Sequence, residues 1–302
     1  MQEKGLRLQI DRVMAANVYQ IVTDRIIEQM SKGIIPWQKP WHGAVDGAVS
    51  YETGRPYSFL NQCLLGRPGE WLTFNQVQKL GGKIKKGAKS GMVTFVKTYV
   101  KKSKGKVAEG DEASEEMGFV LRYYNVFHID DCYGIESKIK DKPKADDLQP
   151  IEMADKVANE YVEREDTLKM EIKLSNRAYY SPATDTVVVP QLDQYDAVEE
   201  FYSTMFHELV HSTGVSKRCD RGLNKVSSKH SDEYSREELV AEMGSAMLCN
   251  QLGIDNEKAF KNSVAYIQSW LRELKNDNRM IVWAASRAEK AVKYIKGIKE
   301  DE

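Results

Sequence analysis

Residues 204–214, TMFHELVHSTG, place His207 and His211 four positions apart with Glu208 directly after the first. On a helix, that spacing separates two side chains by about 40° around the axis, so both imidazoles can aim at one point. Glu208, one position round, can hold a metal-bound water without ligating the metal, which is the arrangement of metal-assisted hydrolysis. Coincidence is a poor account, because a chain of 302 residues with 5 His and 26 Glu yields only about 0.007 chance matches to HExxH. The rival reading is a structural helix that carries two solvated histidines. Helicity itself follows from Val198, Phe201, Tyr202, Met205 and Leu209, which fall on one stripe.

Catalytic zinc needs three protein ligands and one open position, so a third donor must come from elsewhere. The segment 231–253, SDEYSREELVAEMGSAMLCNQLG, predicts a second helix with Leu239, Met243, Ala246 and Met247 on its core stripe. Glu238 and Glu242 lie four apart on it, repeating the one-face geometry. Glu238 is the expected third ligand of one zinc per chain, and Glu242 is expected to orient a histidine through its outer ring nitrogen. Glu237 is the main rival for the ligand position, with Cys249 a more distant one. The small neighbours Ala241, Gly244 and Ser245 do not suit an ordinary solvated face.

The elements that must position these residues are legible from periodicity. NRAYYSPATDTVVVP, residues 176–190, reads as two short strands around a turn, and a strand beside a zinc helix can pair with an extended peptide. Residues 256–274 and 277–298 predict two further helices, with Ile267, Trp270, Leu271 and Leu274, then Ile281, Ala285, Ala288, Val292 and Ile295, as buried stripes. Trp270 and Trp283 are expected in the core.

The first part of the chain has a different chemistry. Residues 1–140 carry 21 Lys+Arg against 15 Asp+Glu, whereas residues 141–302 carry 23 against 30. Residues 79–106 hold ten lysines and no acidic residue, and the bias runs through a glycine turn into a strand bearing Phe95, Lys97 and Tyr99. Residues 117–127 make its antiparallel partner. Lysine runs are commonly only solvated faces, but lysines interleaved with aromatics suit nucleic acid, which offers phosphates and stackable bases. The candidate contacts are Lys83, Lys85, Lys86, Lys89, Lys97 and Tyr99. A second group comes from IPWQKPW, where Trp37 and Trp41 flank Lys39; the alternative is that both tryptophans pin this strip to the core. A helix near residues 11–32 precedes it.

With 41% hydrophobic and 29% charged residues, the composition is that of a globular protein of two domains of roughly 150 residues each. No apolar run approaches the roughly 20 residues that span a bilayer, and residues 1–13 lack a signal-peptide core, so a cytoplasmic location is expected. The four cysteines form no CxxC pair and are expected as buried free thiols.

Together these segments resemble the ArdC-type antirestriction proteins of plasmids and phages over nearly the whole chain. The matching stretches are IPWQKPW, WLTFNQVQKLGGKIKKGAKSGMVTF and YYNVFHIDDCYGI, then AYYSPATDTVVVP, FHELVHSTG, REELVAEMGSAMLC and YIQSWL. The resemblance implies a single-stranded-DNA-binding domain joined to a zinc-metallopeptidase-like domain, and protection of incoming DNA from host restriction. It also implies a metal held by His207, His211 and Glu238 with Glu208 beside it. One departure is visible: Val210 and Ser212 stand where the family pattern HELGHWTG has Gly and Trp. The expected fold is α+β in two domains: a basic α+β domain over 1–136, a linker over 137–150, and a mainly helical, zincin-like domain with a small sheet over 151–302. Expected partners are single-stranded DNA and host restriction-system proteins, with no membrane contact. The alternative is a DNA-coating protein whose zinc fold is a scaffold or docking module without proteolysis.

Overall fold

Enrichment in Val, Thr, Phe and Tyr makes residues 91–102 and 115–128 the longest strands among the described residues. A computed structural model describes residues 18–38, 47–102, 115–139, 150–223, 232–255 and 264–298. In the first body, a helix α1 (18–31) is followed by β1 (Ala48–Ser50), α2 (Phe59–Leu65), β2 (Gly69–Thr73), α3 (Phe74–Lys79) and β3 (Lys83–Ile84). The antiparallel pair β4 (Gly91–Lys102) and β5 (Glu115–His128) and the short β6 (Cys132–Tyr133) complete it. The main sheet runs β1-β2-β5-β4, with β1 parallel to β2 and the other pairs antiparallel, and β3 pairs with β6.

Buried amides on α2 lock this sheet. Asn61 donates to the Thr94 carbonyl (2.9 Å) and accepts from the Thr94 N–H (2.7 Å), while Gln62 donates to the Ala48 carbonyl (2.8 Å). α2 ends at Gly66, whose φ of 60° closes the last turn in a left-handed conformation that other residues adopt at a cost. Thr73 and Gln76 form a reciprocal capping box that starts α3.

The second body contains α4 (Pro150–Arg164), β7 (Lys169–Lys173), β8 (Tyr179–Ser181), β9 (Thr186–Pro190), α5 (Val198–Ser212), α6 (Asp232–Leu252), α7 (Val264–Asn276) and α8 (Met280–Ile295). Its sheet runs β7-β9-β8, with β9 central and fully buried. The architecture is α+β, and the helical second body with its small sheet is as expected. α2, α4 and β7 were not anticipated. Residues 256–263, expected as helix, lie outside the described residues, as do Lys39, Trp41 and residues 140–149 of the expected linker. Just before that stretch, Ser137 and the Lys138 N–H donate to the buried Glu70 carboxylate at 2.7 and 3.1 Å. Among the described residues no helix is long and apolar enough to cross a membrane.

The largest core cluster joins α1, Trp37, α2, Met92 and Leu121 of the first body to α4, α5, α6, α7 and α8 of the second. Trp37, expected to stack on bases, is a correction. Its side chain is 0% exposed and its ring sits edge-on to Trp270 at 5.5 Å. The short 3-10 turn Pro36–Gln38 delivers the indole inward, where burying its large apolar area outweighs any use at the surface. Trp37→Ala is therefore expected to cost about 3–5 kcal/mol of unfolding free energy. Urea denaturation checks this, and a cost below about 1 kcal/mol would be incompatible with a core indole. Cys63, Cys132 and Cys249 are buried free thiols, and Cys219 is half-buried.

Candidate functional site

α5 carries its motif on the face that meets α6. Phe206 and Leu209 fill the core on one side of it, leaving His207 and His211 to face Glu238 on α6. The two Nε2 atoms lie 3.1 Å apart, and the Glu238 oxygens stand 3.4 Å from each of them. One donor atom from each of these three residues falls within 4.8 Å of the others. Three donors about 2.0–2.1 Å from one tetrahedral ion have mutual spacings of about 3.3–3.4 Å, so the site has the dimensions and the donor set of a metal cradle. Its side is open: Glu238 retains 29% and His207 19% of its side-chain surface, which suits an accessible ion more than a sealed structural one.

The electrostatics agree. Burial alone would pull the His211 imidazole down, but Glu237 and Glu238 outweigh it and push its pKa up to about 10. His207 is also raised: burial opposes this, and Glu238 is the main group that overcomes it. Against its own desolvation, Glu238 is held well below the usual carboxylate range by the two histidines. Such a pocket of field attracts positive charge to the point between the three side chains.

The outer ring nitrogen of His211 is 3.1 Å from Glu237 Oε1. Glu237 in turn accepts from Arg221 Nε at 2.8 Å and Nη2 at 2.6 Å. Glu237, considered from sequence as a rival ligand, thus lies behind the imidazole and fixes its orientation. The role expected for Glu242 is corrected accordingly. Its Oε1 is 4.0 Å from His207 Nδ1, too far for a hydrogen bond, its other oxygen is buried with no partner among the described residues, and burial raises its pKa. Glu208 is buried beside His207 and does not join the three donors.

Two arginines that sequence reasoning missed hold the loop after α5. Arg218, with no exposed side-chain surface, forks onto both Asp185 oxygens at 2.9 and 2.8 Å and reaches Glu165 at 2.7 Å. Asp185 sits in the turn between β8 and β9 at φ 48°. Arg221 is flanked by left-handed residues, Asp220 at 44° and Gly222 at 77°, which reverse the chain so that its guanidinium reaches Glu237. A sequence signal existed only in the Asp-Arg-Gly triplet, since aspartate and glycine tolerate that conformation best. Val210, one of the departures from the family pattern, packs on Gly244, where any Cβ would come within 2.7 Å of it. Ser212 is paired with the Tyr161 hydroxyl at 2.9 Å. Both sit on the core side of α5, buried in packing separate from the three donors.

The second cluster is the β4–β5 hairpin. Its register opposes Val93 to Tyr124, Phe95 to Arg122, Lys97 to Val120 and Tyr99 to Gly118, so alternation gathers these residues on one face. Phe95 and Tyr124 are 41% and 39% exposed, with ring centroids 5.6 Å apart. Tyr99 lies over Gly118, where a Cβ would strike the ring at 2.5 Å. Lys97 is exposed on the same face, and Lys83, Lys86 and Lys89 are exposed on the segment leading into β4. Lys85 lies 5.1 Å over the Tyr133 ring.

Comparison with known proteins bears on both clusters. A family model described as a zincin-like metallopeptidase matches residues 158–287, and one described as the N-terminal domain of anti-restriction factor ArdC matches residues 16–127. The metal-free crystal structure of the antirestriction ArdC protein from plasmid R388 superposes with a TM-score of 0.70 at 30% identity, covering 93% of this chain and 97% of that one. The chain belongs to the ArdC antirestriction family. The Mn(II)-bound structure of the same R388 ArdC protein gives a TM-score of 0.69 with the same identity and coverage. An uncharacterized protein of Sinorhizobium fredii, y4eC, is 29% identical over 94% of this chain and 93% of its own length. DNA primase TraC of Escherichia coli is 28% identical over 298 residues, 92% of this chain, but this ArdC-family chain spans only 27% of that primase.

Proposed function

We propose that this chain protects incoming mobile-element DNA from host restriction in the recipient cytoplasm by binding its single-stranded form, and that its second body is a zinc-dependent peptidase site. The convergence of His207, His211 and Glu238 on one point, with Glu208 beside it, carries the enzymatic part. Family membership and the aromatic, basic face of β4–β5 support the DNA-binding part. The Mn(II) held by the R388 protein supports a divalent ion. A site of two imidazoles and one carboxylate favours zinc over manganese, which prefers oxygen donors.

A divalent ion held there supplies a Lewis acid for a water and for a substrate carbonyl. Glu208 takes the proton that the attacking water loses and delivers it to the leaving amine nitrogen, so no covalent bond to the protein forms. Glu237, anchored by Arg221, keeps the His211 ring in one orientation. β8 lies at an edge of its sheet and packs against α5, and its side left unpaired among the described residues can pair with an extended peptide. Host restriction-system proteins are the expected substrates.

The coating reading competes on one observation: the hairpin face needs nothing from the metal site. Glu208→Gln tests whether proteolysis is required for protection. Transfer frequency into a restricting host, with and without the protein, is the measurement. Protection is expected to persist in Glu208→Gln, because a coated strand already denies the endonuclease access. Its loss, in protein that still binds metal and DNA, would make proteolysis the protective step.

A further inference from the structure

A hollow of about 500 Å³ lies between α8 and the loop that carries Arg221. Along α8 it is lined by Trp283, Arg287, Lys290 and Lys293, which recur at helical spacing on one face. The Arg287 guanidinium lies 4.8 Å over the Trp283 ring. Among the described residues, no carboxylate forms an ion pair with Arg287, Lys290 or Lys293. Burial, and then the neighbouring Arg221, lower the Arg287 pKa from its ordinary value. Two carboxylates share the hollow. Glu289 turns its oxygen to the Phe59 N–H at the start of α2, and burial raises its pKa, while Asp220 sits exposed on the rim.

We propose that this hollow is a phosphate subsite for single-stranded DNA, separate from the hairpin face. The proposal rests on the reading that the chain binds single-stranded DNA, and adds a second contact on the second body. Three cations from Arg287 to Lys293 extend over about 9 Å of helix, which suits a row of phosphates better than one isolated anion. Trp283, half-buried against the core with the Arg287 guanidinium over its ring, holds that cation at the hollow. α8 also packs against α2, which places the hollow beside the first body. Arg221 in its wall holds Glu237 behind His211, which sets bound DNA one side chain from the metal site's outer partner.

The test uses the full chain, a long fluorescein-labelled oligothymidylate, and the exposed pair Arg287→Glu plus Lys290→Glu. Losing two phosphate contacts is expected to reduce the log–log salt slope by about 1.4 and to weaken binding about tenfold at low salt. Unchanged slope and affinity in this variant, with wild-type protein binding normally, would overturn the subsite alone. No binding by wild-type protein would instead overturn the DNA-binding reading beneath it. The milder Lys290→Ala plus Lys293→Ala, expected to shift the slope in the same direction, guards against a folding defect from charge reversal. Displacement of a fluorescent polyglutamate but not of oligothymidylate would assign the hollow to acidic peptides and end the proposal.

Discussion

Glu238→Ala protein is expected to lose its metal, whereas Glu208→Gln protein is expected to keep about one ion per chain. The reason is positional. Glu238 presents Oε2 3.4 Å from His207 Nε2 and Oε1 3.4 Å from His211 Nε2, at a place where a single ion can touch all three side chains. Removing a ligand should weaken zinc binding by more than the roughly 10–100-fold that follows loss of an outer partner, the smaller effect expected of Glu237→Gln. Metal content after dialysis, with a zinc titration on the stripped protein, gives the comparison. Full occupancy in Glu238→Ala would pass the third position to Glu242, since Glu237 is committed to Arg221 and to the outer nitrogen of His211. Because a metal bound only by the folded state stabilises it by about 2.7 kcal/mol at a hundred times its dissociation constant, a chelator should also lower the Tm of wild-type protein and leave that of Glu238→Ala unchanged.

The second large effect belongs to the hairpin. Phe95→Ala combined with Tyr124→Ala removes two exposed, neighbouring rings, and each stacked base lost is worth about 1–3 kcal/mol. Single-stranded DNA affinity should fall at least tens of fold, while Lys97→Glu should mainly flatten the salt dependence. Fluorescence anisotropy across a salt series reads both. Binding that survives the double substitution would move the DNA to another face. Trp37→Ala makes an instructive contrast, since it should weaken DNA binding only to the extent that it unfolds the protein.

Local pattern determined much of this molecule. The motif helix, its partner over 232–252 and the two strands after Tyr179 are all legible from periodicity, because side chains on a helix or strand reach fixed faces without help from distant residues. HExxH is legible for the same reason: its chemistry lies within one helical turn. The β4–β5 pair was visible in part, from the alternation of Val93, Phe95, Lys97 and Tyr99 and from residues 117–127 as its partner.

Three things were decided only by tertiary structure. Glu237 and Glu238 are adjacent and chemically alike, so which one faces the imidazole Nε2 atoms depends on how α6 is rotated against α5; packing of Leu239, Val240 and Met243 in the core sets that angle. Arg218 and Arg221 read as loop cations, yet two backbone reversals and the buried carboxylates of Asp185, Glu165 and Glu237 turn them into the anchors of the site. Trp37, between prolines and two residues before a lysine, could be read as a surface aromatic or as a core one, and its indole packs edge-on to Trp270 in the core. Burial depends on what lies opposite a residue in space, and a linear pattern of residue types carries no record of that.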